Sequence, residues 1–402
     1  MKKNKAVAVS GMGCLCAAGL NVADCMAFLF QGQRYPAPPL SFSGRGSHPV
    51  FEITSDFYVP RHFRQKELPR TSCLAITAAR EALADAGLDE DYFRRKRVGV
   101  CLGSNVGGGL SGTFLEQWRI AESDPYILPQ YRYLGGNPAR HLAAEFGISG
   151  PVQTVVNACS AGGDAIGLGA AWIRMGICDA VIAGGADALY EITYLGFMSL
   201  LNTDAKACKP FDIRRKGLNL GEGAGMMLLE SDEMLAERDH KAKSRVLGYG
   251  SAADAHHFTA PHPQGKGLRA AMAEAMASAG ISASDLAFIN AHGTGTADND
   301  RIESCVFSED FPGIPFLSTK GYTGHTLGAA GAIEAVFTAA CLEQGRIPRS
   351  AGFSEPDPEL PACPVHENRE ISGSTAMSDT LAFGGNNAVL ILGRPEKTKG
   401  GG

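Results

Sequence analysis

The chain has 402 residues, of which 45% are hydrophobic and 20% are charged. That composition is ordinary for a folded globular protein and excludes extended disorder. The net charge of −5, with both signs mixed along the chain, excludes the basic field expected of a nucleic-acid-binding protein. At roughly 150 residues per domain, the length predicts two or three domains or one large one.

The N-terminus allows two interpretations. Basic residues 1–5 followed by the apolar stretch 6–20 resemble a secretory signal, but Gly11, Gly13 and Gly19 interrupt it. A first strand over Ala6–Val9 that runs into a glycine turn fits the pattern better. No run of 18 apolar residues occurs, which predicts that the chain has no membrane span. The 11 cysteines include no CxxC pair, so we expect reduced thiols in a cytoplasmic protein.

A similar order of elements occurs in both halves of the chain. An alanine-rich helix that ends at a glycine, a short apolar strand and a glycine-rich loop follow one another. These pieces are predicted at 74–87, 98–102 and 103–109, and again at 268–280, 286–290 and 293–295. A strand and a small-residue helix follow at 152–157 and 162–175, and at 315–318 and 327–342. Each half is predicted to end on an apolar strand, at Ala180–Ala183 and at Ala388–Leu392.

Strands that alternate with helices predict an α/β fold with largely parallel sheets. The repetition predicts a duplication, with one half at residues 1–238, a second at 239–396 and a disordered tail at 397–402. The most polar interior stretch, 230–244, is the expected connection. Helices composed of Ala, Gly and Ser, such as 161–171, are expected between two sheets, because helices of such small residues are seldom exposed to solvent and allow backbones to approach closely. The predicted layering is helix, sheet, helix, sheet, helix.

Cys159 is the first candidate for chemistry. It lies where a strand gives way to a glycine- and alanine-rich helix, and a helix N-terminus lowers the pKa of a thiol and activates it. Backbone N–H groups at such a turn also stabilise an oxyanion. Taken alone, Cys159 fits an inert buried cysteine better, since free cysteine is among the most buried residue types.

Two histidines and a lysine occupy comparable positions in the second half. His292 ends an apolar strand and opens a glycine-threonine loop, with Asp300 and Glu303 behind it. A core histidine bonded to backbone is an equal alternative for this residue. His325 lies between a strand and a helix, as Cys159 does, and Lys320 precedes it after an apolar strand. Three histidines at 256, 257 and 262 suggest a metal, but no carboxylate or cysteine completes a ligand set, so we predict that no metal binds.

These segments together resemble the elongating β-ketoacyl-[acyl-carrier-protein] synthases of the thiolase superfamily, whose site holds one cysteine and two histidines. The resemblance extends over nearly the whole chain and implies a thiolase-like duplicated five-layer αβαβα sandwich. Further matching segments are Ala183–Asp187, Lys209–Arg215, Gly221–Gly225, Gly328–Glu334 and the glycine loop Leu381–Asn387.

The resemblance implies a decarboxylating condensation. Cys159 is expected to carry an acyl group as a thioester, which a carbanion from malonyl-[acyl-carrier-protein] attacks. His292 and His325 are expected to stabilise the enolate oxygen, and the backbone N–H groups of Cys159 and Phe383 the tetrahedral intermediate. No metal and no cofactor of its own are implied, because phosphopantetheine arrives on the carrier protein.

Other residues are assigned supporting roles by the same resemblance. Lys320 and its expected ion-pair partner Glu334 are assigned to positioning. Thr294 and Thr296 are expected to hold the phosphopantetheine arm, and Phe383 to act as a gate between the acyl and malonyl sites.

The expected partners are an acidic acyl carrier protein and a second copy of the chain. Arg61, Arg64 and Lys66 occupy the family's docking region, although each alone fits a solvated charge. The resemblance implies a homodimer with Ala180–Ala183 near its interface and leaves open a heterodimer with a chain-length factor. No nucleic acid or membrane partner is expected.

Three departures from the family pattern concern the acyl substrate. Asn157 stands where threonine is common, Ala382 where glycine is usual, and the segment after Ile347 is atypical. We hypothesise a specialised polyene or polyketide synthase. A chain-length-factor-like subunit is the main alternative, although such subunits lose the cysteine. A degradative thiolase would need a second reactive cysteine near Phe383, and an initiating synthase has asparagine in place of one histidine.

Overall fold

Strands and helices alternate along the described part of the chain. The structure is a computed structural model that describes residues 6–42, 48–57, 68–88, 90–93, 96–107 and 137–395. The strands are β1 (Val7–Cys16), β2 (Val98–Gly103), β3 (Val152–Val155), β4 (Ala180–Asp187), β5 (Gly223–Glu230), β6 (Ser244–Ala253), β7 (Leu286–Asn290), β8 (Phe316–Leu317), β9 (Arg346–Ile347), β10 (Arg369–Glu370), β11 (Thr375–Ala382) and β12 (Asn386–Gly393). The helices are α1 (Val22–Gln31), α2 (Arg70–Asp85), α3 (Glu90–Phe93), α4 (Pro138–Glu145), α5 (Ala161–Arg174), α6 (Glu191–Ser199), α7 (Asp232–Glu237), α8 (Lys266–Ala279), α9 (Ala297–Asp310), α10 (Lys320–Thr323) and α11 (Ala330–Gln344). None of these helices is long and apolar enough to cross a bilayer.

The strand order demonstrates the duplication. Ten strands follow one another as β3-β2-β4-β5-β1-β6-β12-β11-β7-β8, so each half supplies five strands in the same internal order. In both halves the second, third and fourth strands run parallel, and the fifth is antiparallel to its neighbours. Among the described strands, the two half-sheets join through a short antiparallel pairing of Val7–Val9 with residues 244–246.

The five layers follow from the helix contacts. The central helices α5 and α11 pack against each other and contact strands of both half-sheets. Helix α2 packs on the outside of the first half-sheet, and α8 on the outside of the second. The predicted αβαβα sandwich is therefore correct, and the small residues of α5 allow the close packing of the central layer.

The first strand is longer than the sequence pattern predicts. We expected a glycine turn after Val9, but β1 continues to Cys16. A Cβ added at Gly11 or Gly13 would lie 2.0 or 1.9 Å from a carbonyl oxygen of α2. These glycines therefore permit close approach of a helix to the strand, rather than a turn.

The first half does not end at Ala180–Ala183. These residues begin β4, an interior strand between β2 and β5, and the half is completed by the antiparallel strand β5. The exposed edge of this half-sheet is β3. The expected connection is correct, because β5 ends at Glu230 and β6 begins at Ser244. The boundary at residue 238 remains a prediction, and the tail from 397 lies outside the described residues.

Candidate active site

Cys159 lies on a tight turn between β3 and α5. Ala158 has a φ of +48°, in the left-handed region, and the N–H of Ala161 donates to the Ala158 carbonyl. The turn orients the buried sulfur of Cys159 toward the second half of the molecule. Because α5 begins at Ala161, the sulfur lies at the positive end of a buried helix.

A polar network beneath this turn explains the asparagine at position 157. The Asn157 amide donates to Asp164 at 2.6 Å, and the Ser160 hydroxyl donates to the same carboxylate at 2.9 Å. Tyr249, from the second half, donates to the other Asp164 oxygen at 2.7 Å. Asn157 thus supplies a donor that the buried acid Asp164 requires.

His292 follows β7 and lies on a loop that two buried acids hold in place. The N–H of Gly293 donates to Glu303, and that of Gly295 donates to Asp300. Both acids belong to α9, so the helix fixes the backbone that carries His292.

His325 is fixed by backbone contacts on both sides. Its own N–H donates to the Asn219 carbonyl, and the N–H of Leu327 donates to its Nδ1 at 3.1 Å. An Nδ1 that accepts a hydrogen bond carries no proton, so the neutral ring has its proton on Nε2.

Ligand atoms of Cys159, His292 and His325 all lie within 4.8 Å of one another. The two imidazole rings have centroids 5.2 Å apart and are nearly perpendicular, at 85°. The sulfur comes from the first half of the chain and both rings from the second. The structure thus brings together the three residues that the sequence singled out.

The ammonium group of Lys320 contacts neighbouring residues with all three of its hydrogen-bond donors. Its Nζ lies 2.9 Å from Nδ1 of His292 and 2.6 Å from the His292 carbonyl oxygen, and it forms an ion pair with Glu334. Three donors thus meet three acceptors. Since an ammonium group can only donate, Nδ1 of His292 carries no proton and Nε2 bears it.

The electrostatics of the site favour neutral rings and a protonated thiol. Burial, followed by the charge of Lys320, holds the pKa of His292 and of His325 well below the ordinary value. Burial raises the pKa of Cys159 to about 11, although Lys320 and the backbone N–H of Phe383 act in the opposite direction. Both imidazoles are therefore neutral N–H donors at neutral pH.

Buried acids lie behind the histidines. Burial and the neighbouring Asp379 raise the pKa of Glu303 well above its usual range. Burial raises the pKa of Asp379 to about 6 and that of Glu334 to about 7. Oε1 of Glu303 and both Asp379 oxygens are buried without a hydrogen-bond partner among the described residues, so each carboxyl disfavours the charged form of the other.

Two cavities meet at Cys159. One, of about 270 Å³, is lined by polar groups that include Thr294 and Thr296 together with both histidines. The other, of about 290 Å³, is lined by Ile192, Leu327 and other apolar side chains. The Thr294 and Thr296 hydroxyls lie 2.8 Å apart. The sulfur can therefore be reached from a polar side and from an apolar side.

Phe197 is a site residue that sequence reasoning missed. Its ring stacks on Phe383 with centroids 5.4 Å apart, and it lies 6.5 Å from the ring of His325. Both phenylalanines line both cavities. Helix α6, which carries Phe197, has apolar residues around most of its circumference, so no periodic pattern distinguished this side chain.

The remaining predicted site residues divide into two groups. Lys320, Glu334, Thr294, Thr296 and Phe383 lie in or directly behind the site, and their roles remain predictions. Arg61, Arg64 and Lys66 lie outside the described residues.

Within the described residues, three metal-type ligand atoms come together in two places, at Cys159 with the two histidines and at Cys14, Cys16 and Cys25. The histidines at 256, 257 and 262 form no such group there. Their predicted lack of a metal stays a prediction.

Comparison with known proteins agrees with this architecture. Residues 4–234 match the model of the beta-ketoacyl synthase N-terminal domain, and residues 243–354 match that of the C-terminal domain. A 3-oxoacyl-[acyl-carrier-protein] synthase 2 of Staphylococcus aureus (strain COL) is 33% identical over 98% of this chain and 99% of its own.

Solved structures give the same result. The ishigamide ketosynthase/chain length factor superposes with a TM-score of 0.90 at 32% identity, covering 97% of this chain and 99% of that one. A ketosynthase in complex with its chain length factor from Xenorhabdus doucetiae has a TM-score of 0.85 at 32% identity, covering 98% and 99%. Sequence, fold and the cysteine with its two histidines thus agree, and the chain belongs to the beta-ketoacyl synthase family.

Proposed function

We propose that the chain is a 3-oxoacyl-[acyl-carrier-protein] synthase that uses Cys159, His292 and His325 as its catalytic residues. An acyl group passes from a carrier thioester to the Cys159 sulfur, and the carrier leaves as a thiol with the proton that Cys159 has lost. Malonyl-[acyl-carrier-protein] then loses CO2, and its carbanion attacks the acyl carbon and releases the Cys159 thiolate. The products are 3-oxoacyl-[acyl-carrier-protein] and CO2. The observation that carries the proposal is the convergence of the three ligand atoms within 4.8 Å at the junction of two cavities.

Cys159 begins the cycle as a thiol. With its pKa raised to about 11, little thiolate exists at neutral pH, so proton loss accompanies the approach of the acyl thioester. The charge of Lys320 and the N–H of Phe383 lower the free-energy cost of forming the Cys159 thiolate. The same N–H, with that of Cys159, is placed to receive the oxyanion of the tetrahedral intermediate.

The two histidines act as neutral donors in the second step. Decarboxylation leaves negative charge on the malonyl thioester oxygen, and two Nε2–H groups beside the sulfur are suited to stabilise it. Their Nδ1 atoms already accept from Lys320 and Leu327, which fixes the required tautomers. Lys320 is accordingly a positioning residue, with Glu334 balancing its buried charge.

The two cavities support separate routes for the two ends of the substrate. Thr294 and Thr296 offer hydroxyls to the amides of a phosphopantetheine arm in the polar cavity. The apolar cavity suits the acyl chain. No cofactor bound to the chain itself is needed in this scheme.

An acyl carrier protein is the proposed partner at the polar opening. Lys216 is exposed at the rim of this cavity, and Arg61, Arg64 and Lys66 remain the predicted docking residues. Charge reversal by Arg64→Glu should raise KM for the acyl carrier protein while kcat stays unchanged, and the effect should weaken with salt. The exposed Arg140→Glu is the matched control. Equal effects of both variants would remove Arg64 from the docking surface.

A second chain is proposed to dock along β3. The side chains of this edge strand are half-buried or exposed, and Val156 beside it is 71% exposed. Two structural relatives are described as ketosynthases with a chain length factor, which supports a heterodimer as well as a homodimer. The mass of the purified chain in solution tests the homodimer, and co-expression with a candidate chain-length factor tests the alternative.

The acyl substrate is proposed to be that of a specialised polyene or polyketide pathway. Two observations support this assignment. Ala382 stands beside Phe383 where the family usually has glycine, and one structural relative is described as the ishigamide ketosynthase/chain length factor. Full-rate elongation of ordinary saturated acyl chains by the purified enzyme would contradict this assignment.

Acyl transfer to the protein tests the central proposal. Intact-mass spectrometry after incubation with acyl carrier protein should reveal one acyl adduct, and peptide mapping should locate it at Cys159. Cys159→Ala should abolish the adduct, whereas Cys101→Ala, which changes another buried cysteine, should leave it. A chain-length-factor-like subunit, the second candidate, would gain no adduct at all.

A further inference from the structure

Three cysteines near the N-terminus form a buried cluster that the proposed reaction does not use. Cys14 and Cys16 lie two residues apart on β1 and therefore face the same side of the strand, and Cys25 lies in the first turns of α1. Their sulfur atoms all lie within 4.8 Å of one another, and those of Cys16 and Cys25 are 3.8 Å apart. All three side chains are at most 1% exposed.

The loop that joins β1 to α1 holds the cluster in place. The N–H groups of Cys16 and Gly19 each donate to the carbonyl of the other residue, which closes the turn. A Cβ on Gly19 would lie 2.7 Å from the Cys25 nitrogen, so only glycine allows this approach of the helix. The Cys25 sulfur also lies 3.4 Å from the Gly19 carbonyl oxygen. The geometry is therefore set by the backbone before any ligand binds.

Hydrogen bonds to one acid hold both elements of the cluster. The Glu81 carboxylate of α2 accepts the N–H of Cys14 on one oxygen and the N–H of Val22, at the start of α1, on the other. The N–H of Cys25 donates to the Asn21 carbonyl. The strand and the helix that carry the three sulfur atoms are therefore fixed relative to each other.

We propose that Cys14, Cys16 and Cys25 form a binding site for a thiophilic divalent d10 cation such as Zn²⁺, with the Gly19 carbonyl oxygen completing the coordination. Two thiolates bound at 2.3 Å to one tetrahedral ion lie about 3.8 Å apart, which the Cys16–Cys25 pair matches. Binding converts the thiols to thiolates and releases their protons to solvent. Three thiolates with a divalent ion carry a single net negative charge. The site lies apart from the catalytic cysteine and would stabilise the first strand and helix.

Cadmium is the probe for the first experiment, because thiolate-to-cadmium charge transfer absorbs in the ultraviolet. The protein is the full chain carrying Cys159→Ala, which removes the other group of ligand atoms, kept reduced with a phosphine. We expect one Cd²⁺ per chain, displaced by Zn²⁺. Adding Cys16→Ala should abolish the absorption and weaken binding at least 100-fold, whereas adding Cys101→Ala, a buried cysteine of the same hydrophobic core, should leave both unchanged.

A second measurement keeps the test decisive if Cys16→Ala fails to fold. X-ray absorption of the Zn²⁺-loaded Cys159→Ala protein should reveal three sulfur neighbours at about 2.3 Å. A zinc shell without sulfur, an absence of cadmium absorption in the Cys159→Ala protein, or equal binding by the Cys16→Ala and Cys101→Ala variants would each overturn the proposal. None of these outcomes bears on the condensation reaction, which depends on Cys159.

Discussion

Gly162 of helix α5 lies against the carbonyl oxygen of Gly328, at the entrance to α11. A Cβ added at Gly162 would lie 2.7 Å from that oxygen and 2.9 Å from the Cβ of Ala332. The two central helices can therefore approach this closely only because position 162 lacks a side chain.

We expect Gly162→Ala to lower the free energy of unfolding by about 1–3 kcal/mol, because the added methyl group forces the central layer apart. Gly163→Ala is the matched control, since its Cβ would meet nothing closer than 3.7 Å and alanine is the better helix former by up to about 1 kcal/mol. Denaturant unfolding measures both. Equal stability of the two variants would contradict this account of the helix contact.

Phe197→Ala should alter acyl transfer more than decarboxylation. The ring stacks on Phe383 and separates the apolar cavity from the polar one, so its removal joins the two spaces. We expect a rise in KM for long acyl donors of about 10-fold or more, since several apolar contacts of a chain are lost. Steady-state kinetics with donors of different length measure this. Tyr35→Ala, an exposed aromatic, is the control, and an unchanged length preference for Phe197→Ala would exclude the gate role.

Lys320→Met should impair the malonyl-dependent step by about 10²–10³-fold, because His292 loses the donor that fixes its tautomer and one enolate donor becomes misplaced. Acylation of Cys159 should fall less, since Lys320 only assists it through its charge. Parallel assays of the acyl adduct and of CO2 release separate the two effects. The control is Lys241→Met on the exposed surface, and equal losses in both assays would argue against a positioning role at His292.

Stability should decline as the pH rises from about 4 to about 7. Glu81, Asp187, Glu334 and Asp379 have folded-state pKa values raised to about 6 or 7, mainly by burial, so the folded chain keeps protons there that the unfolded chain has lost. The stability that these groups contribute is complete below about pH 4 and is lost as the pH passes their folded pKa values. The lowered pKa values of His292 and His325 make the folded state more stable as the pH rises, but these two groups are fewer than the four carboxyls.

Asp379→Asn should flatten this decline by an amount on the order of 1 kcal/mol or more, because it removes one raised carboxyl and the charge that faces Glu303. Denaturant unfolding at pH 5.5 and 7.5 measures the change, with the exposed Glu359→Gln as control. Stability that increases from pH 5.5 to 7.5 in the unmodified protein would contradict the prediction.

The layers could be predicted from the sequence because they depend on local order, and local order also made the three central residues candidates. Strand ends followed by small-residue helices identified Cys159 and His325, and the repeated pattern identified the duplication. The convergence of these residues, by contrast, depends on how the two halves pack, and the family resemblance supplied that expectation.

Four features could not be predicted from the local sequence pattern. Gly11 and Gly13 looked like a turn, yet they accommodate the backbone of α2 within a strand. Strand β5 was not predicted because its first residues, Gly223 to Gly225, have the glycine-rich composition of a loop. Phe197 stacks on Phe383 from a distant helix, and Asn157 donates to Asp164, which lies seven residues later in the chain.

The duplicated strand order gives the two halves of the site equivalent positions in the fold. Cys159 and His325 occupy the same junction in their respective repeats, between the third strand and the central helix. Neither repeat alone contains both groups, so the reactive centre exists only where the two repeats meet. Because the repeats belong to one chain, the two equivalent junctions can carry different side chains, a thiol in one and an imidazole in the other.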